Sequence, residues 1–280
     1  MKIEKYRRPF LYFGSVFVLT WIPWFIWARI SHSPLWENPN WVNFGSFLGF
    51  LGLLAPMVVA LALILPDKDM RNELKSACFS LKGIHWGWIL YTLLFPFAAI
   101  LLAQAISLLF DRSPEQFKLA QDFSFSAGLV PVWVVFIIVP IIEEMGWRTY
   151  GAHCIRRSFN LFVTCFIFGI IWALWHFPLS FVKDYYHSNL AETGLIYSIN
   201  YNVSLIPYLI LDGWCYYKTR RNMLIQFATH MSFNFSMEIF RTHPDSKVIH
   251  TILLLVFCAV ILIRERKFFF NKKFDEESIV

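Results

Sequence analysis

Charge is scarce in this chain. Asp, Glu, Lys and Arg make up 16% of its 280 residues, against roughly 25% in an average soluble domain. In their place, 57% of residues are hydrophobic and 19% aromatic, with 30 Phe and 12 Trp. That balance points to lipid rather than to a soluble core. The five cysteines, Cys78, Cys154, Cys165, Cys215 and Cys258, are scattered, odd in number and without CxxC spacing. They indicate neither a disulfide framework nor a zinc–thiolate site. No period marks a repeat and no low-complexity linker divides the chain, so residues 1–280 read as a single integral membrane domain. The basic excess of +6 does not gather on a soluble face. Lys and Arg flank the apolar runs as membrane topology signals do, which argues against nucleic acid as a partner.

The basic start, Lys2, Lys5, Arg7 and Arg8, precedes a long aromatic stretch with no small-residue cleavage site. It reads as a retained first span rather than a signal peptide. A helical span needs about 20 mostly apolar residues. The sequence offers about eight, near 10–30, 44–65, 86–110, 127–155, 160–182, 195–217, 222–240 and 248–263. The predicted fold is therefore all-α, a polytopic transmembrane helix bundle. Counting Lys and Arg along alternate segments gives its orientation. The N-terminus, the 66–85 loop, Arg156 and Arg157, the 218–221 turn and the C-terminal tail carry 18 of the 25. The opposite segments carry 5, and Arg29 and Arg148 lie within spans. The bias predicts that both termini are cytoplasmic, as an even number of spans requires, with 264–280 a cytoplasmic tail. The expected setting is a bacterial inner membrane. The 66–85 loop reads as a solvated connector or a short helix on the inner surface.

The fourth span breaks the pattern. Its apolar run VPVWVVFIIVPII continues into Glu143, Glu144 and Arg148 before it reaches Arg156 and Arg157. An ionisable residue near the bilayer centre costs roughly 2.5–3.5 kcal/mol on insertion scales, so such residues are functional candidates. The bland alternative ends the span at Ile142 and leaves the carboxylates in the interface. Helix geometry separates the two glutamates. Glu144 and Arg148 are four apart and share a face suited to an ion pair. Glu143 points about 100° away, which makes it the freer carboxylate and the better general base. Pro140 removes a bond to the Phe136 carbonyl and predicts a kink beside it. Asp212 is a possible second partner for Arg148.

Three more polar residues fall at span depth. His176 follows a Trp-rich run, and His230 and Asn234 stand four apart on one face of the seventh span. A lone His in an apolar helix is usually a hydrogen-bonded packing residue, so depth has to arbitrate. At about 1.5 Å per residue, Glu143 lies about 20 Å from Arg156, and His176 lies about 24 Å from the start of its span. On the same scale His230 and Asn234 lie about 12 and 18 Å from the start of theirs. Four polar side chains on three helices share a central zone. The remaining histidines, including His153, His187 and His250, read as structural or interfacial. Gln104, Asn200 and Asn202 either line a cavity or bond between helices.

These residues resemble the motifs of the CPBP family, the CAAX-protease and bacteriocin-processing intramembrane proteases also called Abi. Its EExxxR motif stands here as Glu143-Glu144-Met145-Gly146-Trp147-Arg148. Its FxxxH motif is Trp172-Ala173-Leu174-Trp175-His176, with Trp for Phe. Its HxxxN motif is His230-Met231-Ser232-Phe233-Asn234. Each is short; together, in order on separate spans, they are specific. The resemblance covers about 140–235, within a motif-bearing core of about 127–240. It implies an intramembrane endopeptidase in which Glu143, helped by His176, activates water against a peptide carbonyl. His230 and Asn234 would stabilise the oxyanion, and Glu144 and Arg148 would organise the site. The implied partners are the bilayer and a membrane-embedded or lipid-anchored peptide substrate. A metal-free glutamate mechanism is favoured; the alternative is zinc on Glu143, His176 and His230, although no HExxH pair is present. Two other classes stay open: a non-catalytic immunity or scaffold protein of the same fold, and a transporter that uses the buried carboxylates as a proton relay.

Overall fold

The computed structural model describes residues 3–79, 81–121 and 131–271. Lys2, the beginning of the predicted fourth span at 127–130 and the end of the tail at 272–280 lie outside them. Among the described residues the chain is a helix bundle without strands. Its long helices are α1 (Pro9–Ser31), α2 (Pro39–Ile64), α4 (Trp86–Ser107), α5 (Val132–Gly146), α7 (Leu161–His176), α9 (Leu195–Lys218), α10 (Met223–Glu238) and α11 (Pro244–Arg264). Short helices fill the connections: α3 (Lys68–Cys78), α6 (Ala152–Arg156), α8 (Tyr186–Thr193) and α12 (Arg266–Phe270). The 66–85 segment therefore holds a helix, α3, capped by Asp67, whose carboxylate accepts from the Asp69 and Met70 amides.

Among the described residues, five helices are long and apolar enough to cross a membrane: α1, α2, α4 with its 3₁₀ extension to Phe110, α7 with its 3₁₀ extension to Phe181, and α11. The protein is an integral membrane protein, and large apolar side chains such as Phe10, Ile22, Leu94 and Ile263 lie on its exterior. The other segments read as spans correspond to α5 with α6, α9 and α10. α5 and α10 are short, at 15 and 16 residues, and α9, though 24 residues long, carries Asn200, Asn202 and Asp212, which lower its resemblance to a lipid-facing span. These helices carry most of the candidate site.

Packing fixes where they sit. α1 packs on α2, α2 on α5, α10 on α4 and α5, α7 on α9, and α11 on α4 and α9. Small residues in membrane helices let neighbours approach closely, and here indole rings use that room. A Cβ on Gly49 would fall 2.6 Å from the Trp27 ring, and one on Gly52 would fall 2.6 Å from Trp24 Cδ1 and closer still to its Nε1. Trp24 Nε1 and Thr20 Oγ1 then donate to the Gly49 and Gly52 carbonyls at 2.8 and 2.9 Å. Gly146 is as tight: a Cβ there would lie 2.6 Å from the Met57 amide nitrogen of α2. α5 passes Pro140 as regular helix, and its hydrogen-bond period changes farther on, in a π-helical turn over Trp147–Gly151. Such wide turns recur where a side chain must be re-aimed. This one contains Arg148, at the centre of the buried charges.

Gln104 and Asn200 serve as struts rather than cavity lining. Gln104 donates to the Gln116 carbonyl and to Thr242, and Asn200 donates to the Lys247 carbonyl. Asn202 bonds within its own helix, to the Ser198 carbonyl. The five cysteines are buried and unpaired.

Candidate active site

A cavity of about 530 Å³ lies between the helices, and Glu143, His176, His230 and Asn234 all line it. Four side chains from α5, α7 and α10 thus share one space. The rest of the wall is mostly apolar and aromatic, including Phe47, Phe50, Val135, Val139 and Tyr208. Glu144 and Arg148 are not on that wall. They are 1% exposed, in the packing behind it.

The two glutamates differ in what holds them. Arg148 Nε donates to Glu144 Oε2 at 3.2 Å, and His230 Nδ1 meets Glu144 Oε1 at 2.9 Å. Both oxygens of Glu144 are engaged. Arg148 also donates through Nη2 to Asp212 Oδ2, and Gln226 Nε2 donates to Asp212 Oδ1. The guanidinium lies over the faces of Phe168 and Tyr216, 5.2 and 5.9 Å from the ring centroids. A buried cation held by two carboxylates and two aromatic faces has the partners that burial demands. Glu143 is 4% exposed and accepts a single hydrogen bond, from Trp172 Nε1 to Oε2 at 3.1 Å. Its Oε1 has no partner among the described residues.

The histidines have defined inner nitrogens. His176 Nδ1 lies 2.8 Å from the Trp172 carbonyl. A carbonyl only accepts, so Nδ1 carries the proton and the neutral ring has its lone pair on Nε2. His230 spends Nδ1 on Glu144 and likewise keeps Nε2. Asn234 is one turn beyond His230 on α10. No group of three or more His, Cys, Asp or Glu among the described residues has the arrangement of a metal site.

Three participants escaped the sequence reading. His187, read as structural or interfacial, lines the cavity from α8. Its ring stacks on His176 at 5.2 Å and 20°, and neither nitrogen has a hydrogen-bond partner among the described residues. Nothing local in the sequence signals that α8 folds back onto the end of α7. His250, also read as structural or interfacial, lines the cavity, and its Nε2 has no hydrogen-bond partner among the described residues. Gln226 was legible: it stands four residues before His230, as His230 does before Asn234, so one face of α10 carries all three.

The chain matches the family described as type II CAAX prenyl endopeptidase Rce1-like over residues 125–236. It is 34% identical to CAAX prenyl protease 2 of Methanococcus maripaludis over 277 residues, 96% of this chain and 99% of that protein. It is 25% identical to lysostaphin resistance protein A of Staphylococcus haemolyticus over 136 residues, 48% of this chain and 37% of that protein. The matched region contains all of the charged and histidine side chains described above except His250.

Proposed function

The chain belongs to the Rce1-like family of type II CAAX prenyl endopeptidases, and on that premise we propose that it cleaves a prenylated, membrane-anchored CAAX peptide with a water activated by Glu143. One observation carries the assignment. Of two adjacent buried carboxylates, Glu143 is the one that combines a place on the cavity wall with an oxygen that has no partner among the described residues.

In this mechanism Glu143 Oε1 takes a proton from water while the water oxygen attacks the peptide carbonyl carbon. His176 Nε2 accepts the second water hydrogen and orients the nucleophile. The carbonyl oxygen becomes an oxyanion, stabilised by the Asn234 amide and by His230 Nε2–H when that ring carries both protons. Donors fixed in advance in a water-poor cavity stabilise such charge well. Glu143 then returns its proton to the amide nitrogen and the C–N bond breaks; the remaining water hydrogen passes from the new carboxyl group to the amine, so that a carboxylate and an ammonium group leave. Glu144, Arg148, Asp212 and Gln226 do not touch substrate here; they hold His230. The step needs no metal, and each histidine already commits one nitrogen to a protein acceptor. We further propose eight spans with both termini in the cytoplasm, in which α5 with α6, α9 and α10 cross alongside the five apolar helices.

Purified protein in detergent, given a farnesylated CAAX peptide, should release the terminal tripeptide as seen by mass spectrometry. Glu143→Ala should abolish release in a protein that folds normally. Cleavage that persists in that variant, or biological output that survives it, would mark a non-catalytic membrane scaffold or a different base.

A further inference from the structure

The geometry points to Trp172 as a positioning residue that sets up the water-activating carboxylate and both histidines at once. This rests on the reading of Glu143 as the base. The indole Nε1–H donates to Glu143 Oε2 at 3.1 Å. The backbone carbonyl of the same residue accepts from His176 Nδ1 at 2.8 Å, which fixes that ring's tautomer. The indole meets the His230 ring edge-on, 5.4 Å between centroids at 88°. Trp172 is 3% exposed and stacks on Phe168 at 5.9 Å and 5°, so the indole itself has little freedom.

The motif this segment resembles carries Phe at the position. A phenyl ring keeps the stack on Phe168 and leaves the backbone bond to His176 in place. It cannot donate to a carboxylate. In this chain the Trp therefore adds a function beyond bulk: it ties down one oxygen of Glu143, on the cavity wall, and leaves the other available to a water. Without it Glu143 loses its one hydrogen bond from the described residues and its three side-chain torsions are released.

Two measurements test this. In steady-state cleavage of a farnesylated CAAX peptide, Trp172→Phe should lower kcat about 10- to 100-fold with KM within about twofold, the pattern of a hydrogen bond to a charged group lost from the reacting centre. A role in packing alone would lower the folded fraction and leave kcat per folded molecule unchanged. The second readout needs no activity. Of the 12 Trp indole N–H resonances, the one missing in Trp172→Phe should be displaced in Glu143→Ala; Trp172→Tyr supplies the assignment if the Phe variant does not fold. An indole resonance indifferent to Glu143→Ala overturns the proposal. So does wild-type kcat in Trp172→Phe when Glu143→Ala is dead, and that result leaves the base assignment standing. A wild-type protein that cleaves nothing sinks the base assignment, and the indole resonance still decides whether Trp172 holds the carboxylate.

Discussion

Gln226 and His230 stand one turn apart on α10, and a chain of buried charges leaves the helix at the first and returns to it at the second. From Gln226 it runs through Asp212, Arg148 and Glu144 to His230. Three helical segments are tied by side chains that have no water to fall back on. His230 is held from behind, on the side away from the cavity.

Arg148 is the permanent cation in that chain, and its removal takes the guanidinium from two buried carboxylates. Breaking a buried pair by deleting one partner costs about 3–5 kcal/mol. Arg148→Ala should therefore unfold at markedly lower temperature in detergent. Arg148→Lys should rescue only part of the loss, since one ammonium cannot reproduce the planar fork that reaches Glu144 and Asp212. Thermal unfolding of both variants measures this, and a wild-type Tm for Arg148→Ala would remove the chain's structural role.

The interface between α2 and α5 has no room for a side chain at Gly146. Overpacking of this kind costs about 1–3 kcal/mol, and the atoms in the way belong to the Pro56–Met57 backbone, which cannot swing aside. Gly146→Val should lower Tm and, because Glu143 and Glu144 are on the same helix, reduce activity as well. Gly14, whose Cβ would meet nothing within 4 Å, is the matched control: Gly14→Val should leave both unchanged.

The amino-proximal surface has its own pH response. Asp67 caps α3, and Lys5 Nζ donates to it at 2.7 Å. The hydrogen bond from Lys5, then the bond from the Met70 amide, hold its carboxyl below the ordinary 3.8. A depressed folded value means the cap's contribution is intact above pH 3.8 and fades as pH falls through the folded value. Amide exchange in Lys68–Cys78 should stay slow down to that pH and rise below it. Asp67→Asn should remove the pH step.

Metal removal tests the mechanism from another side. Exhaustive chelation followed by elemental analysis should leave cleavage unchanged at substoichiometric metal. Loss of activity on chelation that zinc alone restores would move Glu143, His176 and His230 into a ligand set.

Much of this was legible in the sequence because the bilayer penalises what does not belong there. Glu143, Glu144, Arg148, His176 and His230 stand out among apolar neighbours, and a spacing of four pairs Glu144 with Arg148 from the sequence alone. Asp212 could be named only as a candidate, since α9 and α5 meet far apart in sequence. His187 was missed because its position depends on a short helix folding back, which no local pattern encodes. At Trp172 the motif shows only that Trp stands for Phe, while the residue's role depends on an indole nitrogen facing Glu143 across a helix interface. Pro140 drew attention as a kink, yet the change in helical period falls at Trp147–Gly151, where tight packing of Gly146 on α2 precedes the turn.

The most direct test of the account is the asymmetry between the two glutamates, read as kcat per folded molecule in Glu143→Gln and Glu144→Gln. Losing a general base costs about 100- to 10,000-fold, so Glu143→Gln should fall by that much at an unchanged Tm. Glu144→Gln should lower Tm through the Arg148–Asp212 chain and keep a larger share of kcat. Equal losses in the two variants, or near wild-type kcat in Glu143→Gln, would contradict the division of labour between them.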